Sequence, residues 1–307
     1  MKMFSPGLRA PLPCLKKLVL ATALGGCIAT TQATENGGSS WPMGIENYQM
    51  GILPPPGVYG QLYASNYTAN ELRDNSGDKI PVSFDLRVST LVPRLIWVTD
   101  QQVLGGTLGF HALIPLNEIR LNTNGLRDHK RGLGDAHMGP VIGYHHSDKL
   151  HTAFGVDVIL PTATEYDKDD LVNLGTNFVT LQAIYALTYL DPAGLNVDMR
   201  LMHEYNFKNP DTDYKSGREL HADYAVGWGL GNGWVVGVGG YVYKQISDDK
   251  LDDHRVADNR GRAFAIGPSV QYTSSAGWSL SGKWQDEMGV RNRADGGAYW
   301  LKFSFAL

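Results

Sequence analysis

Cysteine is almost missing from this chain. Cys14 and Cys27 are the only two in 307 residues. Long apolar runs are missing as well: no stretch of about 18 apolar residues occurs, which excludes a helical membrane span. Basic charge is short relative to acidic, with 27 Lys and Arg against 31 Asp and Glu. Four of the basic residues, Lys2, Arg9, Lys16 and Lys17, lie in the first 33 positions, which hold no acidic residue. Setting them aside leaves 23 against 31, a net charge of −8. Such a chain lacks the basic patches that bind nucleic acid, so nucleic acid is excluded as a partner. Abundant instead are Gly (36), Tyr (15) and Trp (7). Glycine suits tight turns and crowded barrel interiors, and Tyr and Trp suit membrane interfaces.

What the chain does have throughout is alternation with a period of two. Tyr299, Leu301, Phe303, Phe305 and Leu307 are apolar, while Trp300, Lys302, Ser304 and Ala306 between them are mixed. Strand side chains point to opposite faces in turn, so one face of this segment is apolar. Similar stretches recur at the length a tilted strand needs to cross a bilayer. They fall at 58–65, 82–98, 103–119, 135–146, 150–161, 177–190, 195–207, 218–230, 234–246, 262–273, 278–288 and 298–307. Tight connections are expected at Thr99–Gln102, Ser147–Lys149, Asp191–Gly194, Gly231–Gly233 and Ser274–Gly277. Between them come long polar ones at Asn66–Pro81, Arg120–Gly134, Thr162–Thr176, Lys208–Gly217, Ser247–Gly261 and Gly289–Gly297. A closed barrel satisfies every backbone group in lipid and leaves no edge. The expected fold is all-β: a transmembrane antiparallel up-and-down β-barrel of about twelve strands over residues 58–307. Short turns face the periplasm and long loops face outside.

The N-terminus reads as a secretory signal. Lys16 and Lys17 precede an apolar run from Leu18 to Ala29, and Thr31-Gln32-Ala33 offers small residues for cleavage before Thr34. Leu24-Gly25-Gly26-Cys27 resembles a lipoprotein box and is a rival cut, with Cys27 lipidated. The cut after Ala33 is preferred because an integral barrel needs no lipid anchor. Residues 1–33 are then signal peptide, and the mature chain has no disulfide or thiol chemistry. Export of such a barrel points to the outer membrane of a Gram-negative bacterium.

Residues 34–57 form a Gly- and Pro-rich leader that ends in Pro54-Pro55-Pro56-Gly57. Two readings stand level: a loose periplasmic tether, or a plug that enters the periplasmic mouth and packs through Trp41, Tyr48, Met50 and Leu53. Alternation sends a polar set to the barrel interior: Asp85, Arg87, His111, Asp157, Gln182, Asp198, Arg200, Glu204, Asp223, Gln271, Lys283, Gln285 and Lys302. On 82–98 this turns Val82, Phe84, Leu86 and Val88 the other way. The set either ties the interior together by salt bridges or lines a solute path. About eight strands leave room only for side chains and about sixteen an aqueous pore, so twelve suit a narrow path.

No motif calls for a cofactor, a metal or a catalytic role. Gly229-Leu230-Gly231-Asn232-Gly233 and Gly237–Gly240 have no helix after them and are not phosphate loops. His145, His146 and His151 cluster at one turn, but neighbouring residues of a strand point apart, and an interfacial polar belt is favoured over a metal site. Asp211–Asp213, Asp248-Asp249 and Asp252-Asp253 do not fit a calcium loop. His203 falls on the outward face without a serine partner, which disfavours a lipid-acting enzyme.

The leader residues Thr34–Gly44, with Trp41-Pro42-Met43-Gly44, and then Glu46, Gly51 and Pro54-Pro55-Pro56-Gly57-Val58-Tyr59, resemble the start of the phenol degradation meta-pathway outer-membrane family. The strand rhythm fits that family to the C-terminus. One departure from outer-membrane barrels generally is the terminal Leu307, with Phe305 two before, where many end in Phe or Trp. The resemblance implies passage of aromatic or other hydrophobic compounds, and brings no catalytic residue. The expectation is a monomeric transport protein in outer-membrane lipid and lipopolysaccharide, passing small hydrophobic, including aromatic, solutes without a cofactor. The rivals are a general diffusion porin, a membrane-embedded lipid-acting enzyme and a structural or adhesive barrel.

Overall fold

The computed structural model describes residues 34–307. The signal-peptide and lipoprotein readings fall on residues 1–33 and lie outside the described residues. Twelve antiparallel strands close into a barrel: β1 (Gly57–Arg73), β2 (Phe84–Val103), β3 (Gly106–Leu113), β4 (Ala136–His145), β5 (Leu150–Leu160), β6 (Thr180–Tyr189), β7 (Leu195–Asn206), β8 (Glu219–Gly229), β9 (Trp234–Gln245), β10 (Arg262–Thr273), β11 (Ser279–Arg291) and β12 (Arg293–Ala306). Each pairs with its sequence neighbours, and β1 closes on β12 from Tyr59↔Ala306 to Arg73↔Arg293. Among the described residues the helical content is one 3₁₀ turn, Glu35–Gly37.

The alternation in sequence is realised as an apolar outside and a polar inside. On β7, Leu195, Val197, Met199 and Leu201 face out, while Asn196, Asp198, Arg200 and Glu204 are buried. Leu95, Trp97, Phe154, Val156, Val236, Val242 and Leu301 continue the apolar belt around the wall. At the turn end, Trp234, Tyr272, Trp278, Phe303 and Phe305 touch in sequence as part of an aromatic girdle. The apolar surface has no aqueous explanation on such a scale; it is the lipid-facing band of a membrane barrel.

Several connections differ from expectation, among them Asn66–Pro81, whose first half continues β1 to Arg73. The turn placed at Thr99–Gln102 is at Leu104-Gly105, and β2 runs through the polar segment because its turn-end residues stand beyond the apolar belt. Arg120–Gly134 is no loose loop: Leu116–Thr123 pairs with residues 84–91 of β2, and Leu126–Leu133 pairs back on it. Asn124-Gly125 joins the two with positive φ at both positions, the geometry of a tight hairpin turn. Gly289–Gly297 contracts to a bend at Asn292, since β11 ends at Arg291 and β12 begins at Arg293. Strands β1, β2, β11 and β12, of 17, 20, 13 and 14 residues, therefore exceed the roughly 9–11 residues a crossing needs. With the 116–133 hairpin they raise one side of the wall at the loop end.

Candidate functional site in the barrel lumen

The leader runs through the lumen along its length. Thr34 and Glu35 sit among the long loops, where their backbone nitrogens donate to Asp249 (3.3 Å) and Ser216 (3.1 Å). Ser39 Oγ donates to Glu219 (2.8 Å), and Ser40 and Thr180 share a hydroxyl contact (3.1 Å). Farther down, Asp223 accepts from the backbone nitrogens of Gly44 (2.9 Å) and Glu46 (3.0 Å). Near the turn end, Met50 N donates to Asp198 (3.0 Å) and Gly51 N to Thr188 Oγ1 (2.8 Å). The leader thus starts at the loop end and descends to β1. This corrects the expectation that it begins on the periplasmic side and enters there: 24 residues in extended form have ample reach to cross the barrel.

Two glycines of the leader are required by this path. Gly44 has φ of 74°, and a Cβ there would lie 2.2 Å from Gln285 Nε2. A Cβ on Gly51 would come within 2.8 Å of the backbone of Leu187 and Thr188. Trp41, Tyr48 and Leu53 are buried, and Met50 packs beside Tyr48. Trp41 lies edge-on to His137 (5.4 Å) and under the Arg200 guanidinium (4.5 Å). Leu53 packs against Ile96 and Val98 of β2.

At the centre stands Glu46. Arg94 and Arg200 donate to its Oε1 at 2.8 and 2.9 Å, and Lys302 donates to its Oε2 at 2.9 Å. Lys283 Nζ donates to its backbone carbonyl (2.6 Å) and Tyr63 Oη to its carboxylate (3.2 Å). Asp157 lies beside His111 (2.9 Å) and Arg200 (3.7 Å). Glu204 joins Gln182 (2.7 Å) and His221 (3.1 Å). The basic groups Arg94, Arg200, Lys283 and Lys302 thus face Glu46, Asp157, Asp198 and Asp223, and charges of both signs meet in this core of the lumen.

The structure brings His111, Asp157, Gln182, Asp198, Arg200, Glu204, Asp223, Gln271, Lys283, Gln285 and Lys302 to the buried interior. Asp85 and Arg87 are elsewhere. They pair with each other (3.1 Å) on the outside of β2, while Phe84, Leu86 and Val88 face in. The physical reason is that the interior is apolar at this height, and the outer surface there stands above the lipid in water. The inverted assignment also hid Arg94, which shares the parity of Phe84. Glu46 was visible as part of the leader's family motif, yet nothing in its local sequence signals four basic partners that come from distant strands.

Two cavities flank the ionic core. Toward the loop end, an open cavity of about 360 Å³ is lined by the raised wall, the 116–133 hairpin and residues 171–178. Leu72, Phe84, Leu86, Val88, Ile119 and Leu121 supply much of its surface, and Ser39, Ser40 and Pro42 of the leader form its floor. The volume is within the roughly 300–1,000 Å³ of ligand pockets. The segment beside it is held by Asp135, which accepts from Ala163 N (3.1 Å), Thr176 N (2.7 Å) and Thr176 Oγ1 (3.0 Å). Burial pushes the Asp135 carboxyl up, and these hydrogen bonds oppose it. Lys130 pairs with Glu165 (2.6 Å) and Asp170 across the same seam. Toward the turn end, about 230 Å³ lies between Leu53, Tyr59, Ile96, Val141 and Trp278, with Arg94 and Lys302 at its inner end.

At the turn end, His145 and His151 place their Nδ1 atoms 2.7 Å apart, and His146 turns to Thr152 (2.8 Å). Among the described residues no group of three His, Cys, Asp or Glu side chains is arranged to hold a metal ion.

A closed twelve-stranded barrel with a lipid-facing belt and a lumen occupied by its own leader defines an outer-membrane β-barrel of the channel type. The chain belongs to the family described as "Putative MetA-pathway of phenol degradation", whose family model matches residues 69–303. Among solved structures it is similar to the COG4313 outer membrane channel from Pseudomonas putida F1, with a TM-score of 0.74 and 18% identity over 84% of this chain and 98% of that one. Identity at that level establishes the shared fold. The transport unit of the autotransporter AIDA-I from Escherichia coli (TM-score 0.47, 7% identity, 83% of this chain and 93% of that one) is too distant to carry an argument. So is the CymD monoaromatic hydrocarbon channel (0.40, 11%, 82% and 89%). No curated protein matches the sequence.

Proposed function

We propose that the protein conducts small hydrophobic compounds, aromatic ones included, across the bacterial outer membrane by passive passage through the barrel. The observation that carries this reading is the 360 Å³ cavity with apolar walls at the loop end, floored by the leader. A hydrophobic molecule that has left water gains about 25 cal/mol for each Å² it buries there. Membership in the phenol degradation family and the description of the Pseudomonas putida relative as an outer membrane channel agree with it. The leader, residues 34–57, acts as the plug that narrows the path, with Trp41, Tyr48, Met50 and Leu53 as its anchors, and residues 58–307 form the conducting barrel. The inward set from His111 to Lys302 lines the path around it. The barrel works as a monomer, without enzymatic activity, in lipid and lipopolysaccharide.

The test is growth and uptake on a panel of aromatic and aliphatic hydrophobes, with and without the gene. Slower uptake of hydrophobes on deletion, with hydrophilic solutes unaffected, supports the reading. Loss of hydrophilic uptake instead identifies a general diffusion porin.

A further inference from the structure

The outer end of the leader is built like a chain terminus. Thr34 is buried, and its nitrogen donates to Asp249 Oδ2. Its backbone angles, φ 62° and ψ 166°, fall in a region that residues with side chains rarely occupy. The angle φ is defined by the carbonyl carbon of residue 33. The strain therefore exists only while that residue is attached, and vanishes if the peptide bond is cut.

The acceptor, Asp249, is a carboxylate in the loops. It begins the short loop strand Asp249–Leu251 and is fully buried. Its other donors are Gly217 N (2.6 Å), Gln245 Nε2 (2.6 Å), Tyr214 Oη (2.7 Å) and Asn259 Nδ2 (2.8 Å). All are neutral, and among the described residues no Lys, Arg or His forms a salt bridge with it. Burial accordingly pushes its carboxyl up. The next leader residue, Glu35, adds a second carboxylate, held by Asn209 (2.8 Å) and Thr212 (2.5 Å), with Asp211 near it. Two carboxylates, Asp249 and Glu35, thus stand beside the Thr34 backbone with neutral hydrogen-bond donors around them.

We propose that cleavage of the Ala33–Thr34 peptide bond makes the Thr34 nitrogen an α-ammonium that pairs with Asp249 and locks the leader's outer end into the loops. A signal endopeptidase adds water across the amide: the Ala33 carbonyl carbon takes the hydroxyl and the Thr34 nitrogen takes the hydrogen. The amine, with an ordinary pKa of roughly 7.7–8.0, takes a further proton near neutral pH. A neutral hydrogen bond becomes a charge-assisted one. Cleavage before Cys27 would leave residues 27–33 attached and Thr34 both strained and neutral.

Mass spectrometry of protein purified from outer membranes reads the N-terminus, and acylation by an amine reagent at pH 7 reads its surroundings. The expected chain starts at Thr34, and its α-amine reacts about tenfold more slowly in the folded than in the urea-unfolded protein, the effect of a one-unit rise in pKa. Asp249→Asn brings the folded rate back toward the unfolded one. A second variant, with Gly-Ser inserted between Ala33 and Thr34, does the same while leaving Asp249 in place, and heat-modifiable gel migration reports assembly of both. A start at any residue other than Thr34, or equal rates in folded and unfolded wild type, overturns the proposal. Slow acylation that persists in the assembled variants also overturns it, because burial alone then protects the amine.

Discussion

Glu46 is the residue on which the lumen's order depends most. It is buried, and Arg94, Arg200 and Lys302 converge on its carboxylate. Removing one partner of a buried ionic group leaves the rest uncompensated, at a cost of roughly 3–5 kcal/mol. Glu46→Ala is expected to weaken the leader's docking by that order, while the wall still closes through its own strand pairing. Urea denaturation of the detergent-solubilised protein, followed by fluorescence of Trp41 in a background of the other tryptophans replaced by Phe, measures it. An unchanged Trp41 transition would show that the leader's apolar anchors suffice. Two leader residues act by shape: Gly44 holds a left-handed backbone with φ of 74°, and Gly51 leaves no room for a Cβ beside the backbone of Leu187 and Thr188. Both belong to the stretch whose likeness to the family was legible from sequence. The contact that makes Gly51 necessary was not, because Thr188 lies more than a hundred positions away in the chain.

Among the elements, the strands were largely legible and the raised side of the barrel was not. Period-two alternation identifies a strand wherever its two faces meet different solvents, as on β7, where lipid lies outside and a polar lumen inside. On β2 the loop-end half meets the opposite arrangement, and the same pattern pointed Asp85 and Arg87 the wrong way. Asn124-Gly125 is a hairpin signal in its own right, whereas Leu104-Gly105 offers no comparable cue. Two predictions separate these faces. Val238→Arg, in the lipid band of β9, is expected to cost about 2–4 kcal/mol, and Asp85→Lys, above the band, about 0–1 kcal/mol, as read from folding yield into lipid. Equal costs would contradict the height assigned to the 84–91 half of β2. Asp135→Ala leaves the part-buried amides of Ala163 and Thr176 without their acceptor, a loss of about 1 kcal/mol. Amide hydrogen exchange across 161–179 should then quicken while the strands stay protected. Unchanged exchange there would mean that Lys130 and its partners hold the segment alone.

At the scale of the whole molecule, the barrel has two unlike ends. The tight turns at 147–149, 191–194, 231–233 and 274–277 share one, and the long connections, with the small sheet of Tyr214–Lys215, Asp249–Leu251 and His254–Val256, share the other. Short turns belong in the periplasm, so an epitope tag within 252–254 should label intact cells and a tag at 192–193 should not. Reversed labelling would invert the molecule in the membrane. Between the ends, an apolar chamber, an ionic core and a second chamber follow one another, and the leader threads all three.

That arrangement makes the leader both the obstacle and the filter. The most direct measurement is the initial rate of uptake of a labelled monoaromatic hydrocarbon and of a labelled disaccharide, in intact cells lacking the chromosomal gene. These cells carry the wild-type chain, a chain deleted for Glu35–Leu53, or neither. The account predicts that the wild-type chain speeds the aromatic alone, and that the deletion, once its assembly is verified, admits both solutes. Equal aromatic uptake with the wild-type chain and with neither would contradict it.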